Sequence, residues 1–218
     1  MNRKDDKRSK KIIFVSSCLL NTNNKVQGLA RYPGMCKDVF DTLYENDLGI
    51  QQMDCPETLM LGIQRWWQTK NLYDSRGFRN HCRAIAERQV DYMEEYARQG
   101  YQVAGVLGCD GSPTCGVSIT AWDEEWGGSP VDLNFNDAII EGQGVFIEEL
   151  HKAIEERGLT VPPFYGLALD DESADMDKII ADFRRDVYKR QSLYFAAIAV
   201  IFSFSSSLDF SGKKFHAY

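Results

Sequence analysis

Four short apolar, β-branched runs alternate with stretches of helical spacing, and this alternation limits the fold more than any other feature. Residues 11–17, KIIFVSS, have the look of a strand buried on both faces. Residues 49–53, GIQQM, read as a weaker second strand, residues 101–107, YQVAGVL, as a third, and residues 163–169, PFYGLAL, as a fourth. Residues 35–45 put Val39, Phe40 and Leu43 on one helical side. Residues 78–99 carry the longest helical pattern, with Ile85, Val90, Met93 and Tyr96 as its apolar side and Gly100 where a left-handed C-terminal residue is wanted. A further helix spans residues 144–157 and is closed by Gly158, and Ser173 caps a last one. Strand, helix, strand in this order predicts an α/β fold, a three-layer, Rossmann-like, doubly wound parallel sheet.

The segments between are less regular. Residues 21–34, NTNNKVQGLARYPG, form an Asn- and Gly-rich loop. After the second strand, Pro56 is expected to stop any helix or ladder. Residues 122–142 are polar and Gly-rich and read as irregular.

The ends of the chain differ from its middle. Residues 1–10 are charged and no apolar segment follows, so they read as a solvated tail rather than a secretory signal, and a cytoplasmic location is expected. Residues 186–191, DVYKRQ, match the in-frame translation of a transposase adapter used in sequencing libraries. Residues 186–218 are therefore expected to be foreign, and the domain to span residues 11–185. The apolar run at residues 193–204 has 12 residues, and spanning a bilayer needs about 20, so no membrane partner is expected. The net charge of −7 argues against a duplex nucleic acid partner.

In a parallel sheet, ligands bind beyond the carboxyl ends of the strands. Cys18 follows the first strand, Cys55 the second, and Cys115 lies in the loop after the third. Three thiols delivered to one sheet edge suggest a metal. Structural zinc prefers four ligands and often local pairs such as C-x-x-C, which are absent. A cubane cluster fits better, because three thiolates can hold three irons and leave the fourth open. Glu57, two residues after Cys55, is a candidate proton carrier. The hydroxyls of Ser112 and Thr114 are candidates for binding a substrate heteroatom or a cluster sulfide, with ordinary turn chemistry as the alternative. Cys36 and Cys82 read as buried structural thiols, and Cys109, two residues beyond the third strand, as a packing thiol or else a spare ligand or resolving thiol.

The motifs Val15-Ser16-Ser17-Cys18-Leu19-Leu20, Arg31-Tyr32-Pro33-Gly34, Cys55-Pro56-Glu57 and Ser112-Pro113-Thr114-Cys115-Gly116, in this order, resemble the 2-thiouracil desulfurase family. The resemblance covers residues 11–170. It implies a [4Fe-4S] cluster on Cys18, Cys55 and Cys115 whose open iron takes the sulfur of a thiocarbonyl. It also implies Glu57 as the proton-transfer group and Ser112 as a partner of substrate or cluster. The implied partners are a small thiolated heterocycle and a thiol or other sulfur acceptor. After Cys-Pro-Glu this chain departs from the main pattern and looks closer to a related desulfidase subgroup, which leaves the substrate open. In that stretch Arg65 is the candidate for the family's arginine. Trp66 and Trp67 are candidates for a wall stacked on a flat ring, or else pack on the sheet edge. Three rivals remain: an iron–sulfur protein that binds or senses without turnover, a zinc or thiol enzyme using Cys18 or Cys115 as nucleophile, and a structural Rossmann-like domain with free thiols that binds no metal.

Overall fold

The computed structural model describes residues 6–127 and 135–168, with residues 181, 183–185 and 187. At its centre is β1 (Lys11–Ser16), whose Ile13, Phe14 and Val15 are all fully buried. Successive side chains of a strand point to opposite faces, so both faces of the sheet are covered here. β1 pairs in parallel with β2 (Gly49–Met53) on one side and β3 (Gln102–Cys109) on the other, and β3 pairs in parallel with β6 (Phe164–Leu167). The strand order is β2-β1-β3-β6.

The order reverses direction at β1. The crossover from β1 to β2 runs one way through α2 (Lys37–Glu45); those from β2 to β3 and from β3 to β6 run the other way. Right-handed crossovers then put α2 on one face and α5 (Arg76–Arg98) and α6 (Val145–Glu156) together on the other. α5 and α6 pack against each other along their lengths. The buried residues of α5 include Phe78, Cys82, Ile85, Ala86, Gln89, Val90 and Met93, spaced three or four apart as one helical face requires. Ser75 Oγ accepts the N–H of Phe78 and caps the start of α5, and Gly100 follows its end at φ +74°. The fold is thus the expected three-layer α/β arrangement.

Three local expectations need correction. Pro56 does not stop a helix. It is the first residue of α3 (Pro56–Leu61), where a missing N–H costs nothing and a fixed φ helps. The stretch at 122–142 is not wholly irregular: β4 (Ile119–Ala121) and β5 (Ile139–Glu141) form a small antiparallel sheet whose second strand lies inside it. Phe40 is 41% exposed rather than packed with Val39 and Leu43. Among the described residues no helix is long and apolar enough to cross a membrane. The helix expected from Ser173 and the apolar run at 193–204 lie largely or wholly outside the described residues.

Candidate functional site

The carboxyl ends of β1, β2 and β3 deliver three loops to one edge of the sheet. Cys18 lies in the short helix α1 (Ser17–Leu20), directly after β1. Cys55 is the residue before α3, and its Sγ accepts the N–H of Thr58 (3.4 Å), an end-capping contact for that helix. Cys115 lies in the turn after β3. All three line one cavity, together with Glu57, Arg65, Ser112 and Thr114. The cavity has a volume of about 40 Å³, room for a few water molecules, and opens to solvent.

The Cys115 turn is held by specific backbone contacts. Asp110 is buried, and its Oδ1 accepts the N–H groups of Val117 (2.7 Å) and Ser118 (2.9 Å), which folds the turn back on itself. Gly111 sits at φ +83°, a conformation that a side chain disfavours. Gly144, at the start of α6, lies so close to the backbone of Thr114 and Cys115 that a Cβ there would collide with both. These contacts fix the backbone around the cysteine.

Glu57 is buried, and both of its oxygens are engaged. Oε1 accepts from Thr114 Oγ1 (2.7 Å) and Oε2 from Arg65 Nε (2.8 Å). Arg65 also donates to Thr58 Oγ1 (3.1 Å), the Gly62 carbonyl (3.4 Å) and the Asn24 carbonyl (2.7 Å), and its Nη2 lies 3.9 Å from Cys55 Sγ. It therefore ties the loops after β1 and β2 together as well as lining the cavity. Burial works against its charge, but the Glu57 carboxylate more than offsets this and holds Arg65 above its ordinary value. Tyr73, which ends the short helix α4 (Lys70–Tyr73), is buried near the same carboxylate. Burial first, and then the charge of Glu57, push its phenol up.

The cysteines differ in environment. Cys18 and Cys55 are half-buried and Cys115 is buried. Burial and the nearby Cys55 push the Cys115 thiol up, against a lowering contact from Thr114 Oγ1 at 3.6 Å. Cys82 lies on the inner face of α5, where burial and then Glu149 push its thiol up to about 12, as suits an inert structural thiol. Cys36 precedes α2 and is buried. Cys109 ends β3, is fully buried, and its Sγ accepts from Lys25 Nζ (3.0 Å).

Trp66 and Trp67 part company. Trp66 is 65% exposed and is not among the residues lining the cavity. Trp67 lines it, with Trp126 edge-on behind it at 4.6 Å between ring centroids. Gln68, which accepts from Trp126 Nε1 (3.1 Å), and Lys25 line the cavity too. Neither was singled out from sequence. The only signal available for Lys25 was its place in the loop after the first strand, at the edge where ligands bind.

Does this set suit a cluster? Among the described residues no three His, Cys, Asp or Glu side chains are disposed to share one metal ion. A single zinc needs all its donors about 2.0–2.3 Å from one point. A cluster asks less, because each cysteine meets a different iron. Three thiols around one cavity fit a cluster by donor type, with Lys25 in the wall as a cation facing them and the charge of Arg65 taken up by Glu57.

No family model matches the sequence. The uncharacterised protein MJ0003 of Methanocaldococcus jannaschii is 30% identical over 154 residues, which cover 71% of this chain and 84% of that protein. A solved structure described as the [4Fe-4S]-dependent thiouracil desulfidase TudS superimposes with a TM-score of 0.40 at 20% identity, covering 70% of this chain and 90% of that one. A likeness that distant carries no argument about function.

Proposed function

The chain belongs to the family of the M. jannaschii protein MJ0003, and from the cavity at its sheet edge we propose that it is an iron–sulfur desulfurase that removes sulfur from a small thiocarbonyl compound. The observation that carries this reading is the composition of one cavity wall: Cys18, Cys55 and Cys115 line it together with Glu57 and Ser112. Cys18, Cys55 and Cys115 would hold the [4Fe-4S] cluster. When bound, the cluster supplies an iron without a protein ligand, a Lewis acid with affinity for sulfur.

The protein's own groups do the rest. Glu57, ringed by Thr114 and Arg65, is kept from bulk water and oriented, so it serves as the proton carrier for replacing sulfur by oxygen. Arg65 acts mainly through Glu57, fixing the position of the carboxylate. Trp67, rather than Trp66, offers the aromatic face for a flat heterocycle at the mouth. Sulfur leaves as hydrogen sulfide.

The test is sulfide release from 2-thiouracil by anaerobically reconstituted protein. The reading predicts turnover that falls about 100-fold in Glu57→Gln with the cluster retained. A fully loaded protein that releases no sulfide from 2-thiouracil contradicts it.

A further inference from the structure

The hydroxyl groups beside Cys115 form a chain with a direction. A threonine hydroxyl has a single proton to donate. Thr114 Oγ1 lies 2.7 Å from the Glu57 carboxylate, an acceptor, so its proton is committed there. Cys115 Sγ, at 3.6 Å, is the poorer acceptor. Thr114 Oγ1 also lies 3.2 Å from Ser112 Oγ, and in that contact it must accept. Ser112 is then the donor, and its oxygen in turn accepts the N–H groups of Thr114 (3.3 Å) and Cys115 (3.0 Å). The order is fixed: Ser112 to Thr114 to Glu57. All three residues line the cavity, and Arg65 closes the far end of the chain on Oε2.

Resting on the desulfurase reading, we infer that Thr114 is the relay through which protons pass between Ser112 and Glu57. A water attacking the thiocarbonyl carbon displaces the longer of the two N–H contacts on Ser112 Oγ, that of Thr114 at 3.3 Å, and gives a proton to the lone pair so freed. Ser112 passes its own to Thr114, and Thr114 its own to Glu57. At each hydroxyl one O–H bond breaks and one forms, so Glu57 ends protonated and the carbon has gained a hydroxyl group. The second half returns the proton along the reversed chain to the departing sulfur. As the C–S bond breaks and the carbonyl forms, the hydroxyl group gives its proton to the departing hydrosulfide, so thiocarbonyl plus water gives carbonyl plus hydrogen sulfide. No oxidant or reductant is needed. Thr114 gives Ser112 and Glu57, which no direct hydrogen bond joins, a single shared proton path.

The test compares Thr114→Val, which keeps the shape and removes the hydroxyl, with Thr114→Ser, which restores it. Iron and sulfide content, and uracil binding by equilibrium dialysis, are measured beside sulfide release from 2-thiouracil in H₂O and D₂O. The relay predicts that Thr114→Val keeps its iron and binds uracil within about 3-fold of the parent, while kcat falls about 100-fold at a nearly unchanged KM. Thr114→Ser should recover to within about 10-fold of the parent and show a solvent isotope effect like the parent's. A Thr114→Val protein with kcat within about 3-fold of the parent overturns the relay. So does one that loses iron or uracil binding along with turnover, which would make the threonine structural. A parent protein that holds its cluster but releases no sulfide overturns the desulfurase reading itself, and the relay falls with it.

Discussion

Arg65 and Glu57 form an ion pair with both side chains almost entirely out of water, at 4% and 7% exposure. Removing one partner of such a pair leaves an uncompensated buried charge. Arg65→Met should therefore lower the unfolding free energy by about 3–5 kcal/mol, read from urea denaturation. Arg65→Lys keeps the charge but not the fork that reaches Thr58, Gly62 and Asn24, and should fall between the two. Gly144→Ala is a sharper probe of the Cys115 turn, because its methyl would meet backbone that cannot rotate aside. A cost of about 1–3 kcal/mol and a loss of iron uptake are expected, checked by melting and by metal content. That Cys18, Cys55, Cys115, Glu57 and Ser112 share one cavity was legible in the sequence, because each follows a strand at the end where ligands bind. The partner of Arg65 was not, since Glu57 lies eight positions earlier in the first turn of α3, and the chain between them leaves the helix after Leu61 with no period to read. Nor was the choice between Trp66 and Trp67, because a loop has no period from which to read the inward side.

At the scale of elements, α5 and α6 are joined by arginines. Arg79 pairs with Asp74 and reaches Glu148 (2.8 Å) and Glu149 (2.8 Å), while Arg157 reaches Glu87 (3.1 Å), Asp91 (3.0 Å) and Glu94 (2.7 Å). Hydrogen bonding from Arg79 holds the Asp74 carboxyl below its ordinary value of 3.8, and Arg83 does the same for Glu87. A carboxyl with a depressed folded-state pKa contributes its full stability above its ordinary value and loses it as the pH falls through the folded one. The melting temperature should thus drop as the pH falls below about 4, by less in Arg79→Met and by less in high salt, the effect being modest because most of these groups are exposed. Long helices were readable because their spacing repeats over several turns. α3 was missed because a proline at a helix start and a proline that ends a helix look alike in sequence. β4 and β5, at three residues each, are too short for an alternation to show.

At the scale of the whole molecule, the order of the four parallel strands and of the long crossover helices α2, α5 and α6 was legible, because each parallel strand needs a crossover and each of these helices shows its period. The C-terminal boundary was harder. Phe183 and Val187 are buried in the core, Phe183 stands edge-on to Tyr165, and Arg184 Nε donates to Thr42 Oγ1 (2.9 Å) on α2. Val187 lies one residue inside the stretch expected to be foreign, where composition alone cannot tell packing from chance. We propose that the domain needs the chain as far as residue 187. Truncation after 187 should leave the melting temperature unchanged, and truncation after 180 should lower it by exposing the surface that Phe183 and Val187 cover.

The three cysteines converging on one cavity bear the weight of the whole account, and an anaerobic count of iron and acid-labile sulfide tests them most directly. The account predicts a brown protein with about four of each per chain, and a large loss of both in Cys115→Ala. A colourless parent carrying zinc or no metal, or a Cys115→Ala protein with undiminished iron, would contradict it.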